Sequence, residues 1–126
     1  MDSETGHSNI KLLYLNDFDI YVIDYTGTVT FDIGLANMAI IENELRELSI
    51  NRVSLKVIFD LSNTIWENCE THDSLSKIAR KIFNPHNFNF VIYTAILNNE
   101  IVGRTFENEH WFVNKDEAIK WLVEKT

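Results

Sequence analysis

The sequence predicts an α/β fold: a sandwich on a four- to five-stranded, mixed but mostly parallel sheet, with an N-terminal hairpin and three to four helices. Three observations predict it. Residues 55–61 (LKVIFDL) and 88–97 (FNFVIYTAIL) are nearly continuous apolar runs, the pattern of strands covered on both faces. Stretches with helical apolar spacing alternate with such runs. The chain has 126 residues, 45% apolar and 24% charged, which suits one globular domain.

The elements follow in order. Residues 1–9 are polar and are expected to fray, leaving 10–126 as the single domain. Ile10–Leu15 and Ile20–Tyr25 flank a polar turn at Asn16-Asp17 and read as an antiparallel hairpin. A helix is expected over Phe31–Leu48, with Leu35, Met38, Ile41, Leu45 and Leu48 inward and Thr30 or Asp32 as its cap. After the strand at 55–61, residues 62–70 read as a polar loop carrying Ile65 and Trp66. A second helix is expected over 72–83, since Leu75, Ile78, Ala79, Ile82 and Phe83 fill an amphipathic template. Thr71 or Asp73 would cap it, and Asn84-Pro85 would stop it. The strand at 88–97 follows, and 98–108 reads as a short helix. Residues 111–113 form a short strand. Asn114 with Glu117 resembles a capping box and opens a last helix over 115–124, with Ala118, Ile119 and Leu122 inward.

Charge and cysteine content remove whole classes of function. Eleven Lys and Arg stand against nineteen Asp and Glu, a net charge of −8. That argues against nucleic acid, whose binding needs a basic face, and against docking on an anionic membrane by charge. Cys69 is the only cysteine, so neither an intramolecular disulfide nor a cysteine-based zinc site is expected. The start lacks the pattern of a secretory signal, and no stretch has the apolar length of a membrane span, so a cytoplasmic location is expected.

Two motifs carry a family resemblance. Val57-Ile58-Phe59-Asp60-Leu61-Ser62 is similar to the central strand of STAS-like domains, the superfamily of anti-sigma factor antagonists and sulfate-transporter C-terminal domains. The stretch from Phe112 to Leu122 (FVNKDEAIKWL) is similar to that family's closing helix, and the order of elements matches over nearly the whole chain after residue 9. The resemblance is to the small stand-alone bacterial branch. It implies a non-enzymatic regulatory module that docks a protein partner. It also implies, as the alternative, a binder of a small apolar ligand such as a lipid or fatty acid. Anti-sigma factor antagonists carry a phosphorylated Ser or Thr in a D-S-x-G-like turn. Here the nearest counterpart is Asp73-Ser74, fourteen residues beyond Asp60, with Leu75-Ser76 in place of the glycine turn.

The residues themselves point to the loop after the third strand. Open α/β sheets bind ligands outside the carboxyl ends of their parallel strands. Asp60, Ser62, Asn63, Trp66, His72 and Asp73 form the candidate binding set there, and Ser74 is the candidate phospho-acceptor. Trp66 reads either as a recognition anchor or as a lid folded back over the core. Cys69-x-x-His72 with Glu67, Glu70 and Asp73 lacks the second ligand pair of a structural zinc site, so no metal is expected. Contiguous Cys69 and His72, or His72-Asp73-Ser74, rarely converge on one reacting atom, so no catalytic group is expected either. No motif calls for a cofactor. Phe88, Phe90, Tyr93, Phe106, Trp111 and Phe112 supply rings for an apolar pocket or simply for the core. Apolar edge strands would support a homodimer.

Overall fold

The computed structural model describes residues 4–6, 10–50, 52, 54–82, 91–96 and 111–124. Among them run β1 (Glu4–Gly6), β2 (Ile10–Leu15), β3 (Ile20–Tyr25), β4 (Gly27–Val29), α1 (Phe31–Leu48), β5 (Leu55–Asp60), β6 (Thr64–Trp66), α2 (Cys69–Ile82), β7 (Val91–Ile96), β8 (Trp111–Phe112) and α3 (Lys115–Val123). One sheet has the order β1-β2-β3-β5-β7-β8, and β4 and β6 form a separate two-stranded ribbon. The β1–β2 and β2–β3 pairs are antiparallel, and β3–β5, β5–β7 and β7–β8 are parallel. The fold is therefore α/β with a mixed, mostly parallel sheet. Its body is four six-residue strands, β2, β3, β5 and β7. Five of the six strands are those the sequence predicts, the short β8 among them, and the sixth is one further outer strand. That strand, β1, lies in the tail expected to fray and pairs Glu4 with Leu13.

Both faces of the sheet are covered, which is why β3, β5 and β7 read as apolar runs. Ile23, Leu55 and Val57 face α1 through Ile41 and Leu45. Ile20, Val22, Ile58 and Ile96 face α3 through Ala118 and Leu122. Since β3, β5 and β7 are parallel, α1 and α2 must each return from a carboxyl end to an amino end. Their N-termini therefore stand at the carboxyl end of the sheet.

The helix boundaries follow their caps. Thr30 Oγ1 accepts from the Ile33 amide at 3.3 Å and opens α1. Its inward stripe runs through Gly34, Asn37, Met38, Ile41 and Leu45. Leu35, expected inward, is exposed together with Phe31 and Ile33. The reason is the crossing of α1 and α2: a methyl built on Gly34 would overlap Leu75 Cδ1 and stand 2.9 Å from Cδ2. The closest approach runs through Gly34, and Leu35, about 100° further round the helix, turns away from it. Helix α2 starts three residues before the expected His72. Asn68 Oδ1 accepts from the Thr71 amide at 2.7 Å, so the cap is Asn68 and neither Thr71 nor Asp73. Asn114 Oδ1 accepts from Asp116 N at 2.8 Å and Glu117 N at 3.2 Å, the cap the sequence predicts for α3. The short helix expected over 98–108 lies outside the described residues, as do the ends of the expected strand 88–97.

The amino end of the sheet is closed by a polar clasp. Asp19, in the β2–β3 turn, has φ 53°, a left-handed conformation that Asp tolerates. Its carboxylate takes the Tyr14 hydroxyl at 2.7 Å and faces Arg52 at 3.3 Å. The Arg52 guanidinium lies 5.3 Å from the centre of the Tyr21 ring and donates to the Tyr21 hydroxyl at 3.2 Å.

Candidate functional site at the carboxyl end of the sheet

At the opposite end the main ladder breaks and restarts. Asp24 is level with Asp60 in the β3–β5 pair, and Gly27 is level with Thr64 in the β4–β6 pair. The chain takes three steps on one side and four on the other, so the second strand carries one extra residue. Such a mismatch re-aims a strand pair much as a β-bulge does. Gly27, at φ 91°, supplies the backbone conformation that a side chain would resist. The join is held by Thr64 Oγ1 donating to Tyr25 O at 2.6 Å and by Gly27 N donating to Asn63 O at 3.2 Å.

This join gives several expected site residues a structural task. Asp60 ends β5, half-buried, and its Oδ1 accepts from Ser62 N at 3.1 Å and Ser62 Oγ at 2.6 Å. The Asp-Leu-Ser motif thus closes the turn into the ribbon. Asn63 is exposed in that turn. Trp66 ends β6 and packs against the cluster of Tyr25, Val29, Met38 and Leu75. Its indole Nε1 is buried without a hydrogen-bond partner among the described residues.

The stretch 62–74 is not one loop. It divides into a turn, β6 and the first part of α2, and this moves His72 inside. His72 is only 1% exposed. Its ring meets Trp66 edge-on with centroids 5.0 Å apart, and its Nδ1 lies 3.1 Å from Asp73 Oδ1. Cys69 is exposed at the start of α2 while His72 is interior. Ser74 is exposed. However, α2 begins at Cys69, so Ser74 sits past the free amides of the first turn. The stabilisation of a phosphate by those amides, argued from a start near His72, does not apply at this position. Among the described residues no group of three His, Cys, Asp or Glu side chains is placed to hold a metal. None of the described helices is long and apolar enough to cross a membrane.

Two features of this end were not visible in the sequence. The first is a row across the sheet, Lys11, Asp24, Asp60, Ile96 and Phe112, each level with the next. Burial raises the Asp24 carboxyl above its usual value and the charge of Asp60 raises it further, while Lys11 and Lys115 oppose. The second is a group of outward apolar side chains: Ile65 in the ribbon, 61% exposed, and Phe31, Ile33 and Leu35 in the first turns of α1. Ile65 is level with Thr28, three residues before Phe31. Of the aromatic residues read as a ring supply, Phe112 packs with Trp121 at 6.3 Å between centroids. Phe88, Phe90 and Phe106 lie outside the described residues, as do the side chains of Tyr93 and Trp111.

Comparison with protein-family models, with curated proteins and with solved structures found no match to this chain.

Proposed function

We propose that the chain is a non-enzymatic protein-interaction module of STAS-like, regulatory type, working in the cytoplasm and docking its partner at the carboxyl end of the parallel strands. The observation that carries this reading is the exposed apolar group of Ile65 on the ribbon with Phe31 and Leu35, which share one side of the first turns of α1. Exposed large apolar side chains scattered singly are ordinary, but several gathered at one end mark a contact surface. Their support is rigid. Ile65 sits on a paired strand, and the first turns of α1 are fixed by the Thr30 cap and by the Gly34–Leu75 crossing. A preorganised surface loses little freedom on binding.

The Asp60–Ser62 turn and Trp66 belong to this reading as supports of the surface. They shape the ribbon, and Trp66 anchors it to the core through Val29 and Leu75. The family resemblance in this reading rests on the sequence motifs at 57–62 and 112–122.

Immobilised protein exposed to a native extract, with bound proteins identified by mass spectrometry, tests the proposal. A partner whose retention saturates and is competed by free chain is expected. Absence of any saturable protein partner would count against it.

A further inference from the structure

The basic side chains among the described residues are unevenly placed along the strand direction. Residues 12–45 and 57–76 contain neither Lys nor Arg. These two segments supply the ribbon and the N-terminal turns of α1 and α2, which parallel crossovers bring to the carboxyl end. Asp32, Glu67 and Glu70 are exposed there. No ion pair involves any of the three among the described residues. Basic side chains collect at the other end: Arg46 pairs with Glu42 in α1, Arg52 pairs with Asp19, and Lys56 and Lys81 lie at the amino end of β5 and the end of α2. Lys11 and Lys115 lie by Asp24 on the α3 side of the sheet, and Lys77 and Lys120 lie within α2 and α3.

Helix dipoles account for part of this pattern. Asp32 and Glu70 stand in first turns, where a negative charge is favourable. They do not account for Glu67 in the connection before α2, nor for a ribbon without a basic residue. Asp32 lies on the same outward part of α1 as Phe31 and Leu35, and Glu67 follows Ile65 by two residues, so exposed apolar and acidic side chains come together at this end.

We infer that this surface docks a basic amphipathic segment of a partner protein, whose apolar side chains cover Ile65 and the first turns of α1 while its Lys or Arg face Asp32, Glu67 and Glu70. The inference rests on the interaction-module reading and adds the chemistry of the partner. Charge complementarity sets the orientation and speeds the encounter, and the apolar group supplies the contact area.

The test uses the full chain and two synthetic amphipathic peptides, one of Leu and Lys and one of Leu and Glu in the same pattern. Binding is followed by backbone amide NMR shifts. The Lys peptide is expected to bind on the order of ten-fold more tightly than the Glu peptide, and less tightly as salt screens the charges. Its shifts should centre on residues 27–35 and 64–70. Ile65→Ser and Glu67→Lys, both at exposed positions, should each weaken it several-fold, roughly in keeping with loss of an apolar contact or a charge pair. Ile50→Ser, an equally exposed isoleucine at the other end, should leave it unchanged. Equal binding of the two peptides, or shifts centred elsewhere, would overturn the inference. A partner captured from extract and held equally by Ile65→Ser and Glu67→Lys would overturn it too, while leaving the interaction-module reading in place.

Discussion

The two ends of the sheet are built from similar residue types and end up different. At the amino end, a turn carboxylate, a guanidinium and two tyrosines satisfy one another through Asp19, Arg52, Tyr14 and Tyr21. At the carboxyl end, Asp32, Glu67 and Glu70 point outward without an ion pair among the described residues, beside four exposed apolar side chains. The amino end also exposes apolar groups, Phe18 and Ile50, but each stands in its own turn. The difference separates an end that closes the fold from an end that presents a surface. What the carboxyl end does satisfy, it satisfies internally: Asp60 with Ser62, Thr64 with Tyr25 O, and the buried Asn37 Nδ2 with the Tyr25 hydroxyl at 2.7 Å.

The largest effect on this contrast should come from beneath the proposed docking surface. Leu75→Ala removes a buried side chain between α1 and α2 and should cost about 2–5 kcal/mol in urea unfolding. Gly34→Ala crowds Leu75 in the wild-type background, but in the Leu75→Ala background the added methyl should stabilise, through helix propensity and filled space. Additive effects of the two substitutions would mean that the crossing does not set the exposure of Leu35.

Tyr25→Phe should cost about 1–3 kcal/mol, because it leaves the buried Asn37 amide without its acceptor. Thermal unfolding of Tyr25→Phe and of Tyr25→Phe with Asn37→Leu separates this loss from packing. The second substitution should recover stability. Arg52→Ala, at the other end, should cost about 1 kcal/mol or less, since its Asp19 pair is exposed and the ring contact is modest. Its effect should shrink with added salt, and peptide or partner binding should not change.

The smallest effect is one of pH. The Asp24 carboxyl is raised by burial and then by Asp60. The folded state therefore holds the proton more tightly than the unfolded chain. The stability this contributes is complete below the unfolded value of 3.8 and is lost as pH rises through the folded value. Asp24→Asn should accordingly be more stable than the wild type at neutral pH, and the gain should vanish in acid. Paired urea titrations at the two pH values check the sign.

Much of the frame was legible in the sequence, and the reasons are local. Phe31–Leu48 reads as a helix from periodicity alone, and Asn114 caps α3 because capping depends on neighbours in the chain. The start of α2 differs from the sequence expectation because Thr71 and Asp73 are also good caps, and only the fold makes Asn68 the residue used. The ribbon is not legible, since Gly27–Val29 and Thr64–Trp66 mix polar residues and pair only across the intervening α1 and β5. The Asp24–Asp60 alignment depends on register between strands separated by a helix. Asp60, Ser62 and Trp66 lie at the carboxyl end of the sheet as their positions after the third strand imply, and there they form a turn and a core contact. The exposure of Leu35 is not legible, because an apolar residue at helical spacing reads as core until the neighbouring helix is placed.

Amide hydrogen exchange of the chain alone and bound to its captured partner tests the central claim most directly. Slower exchange confined to residues 27–35 and 64–70 is the predicted result. Protection centred on the β2–β3 turn and Arg52, with the ribbon unchanged, would contradict it.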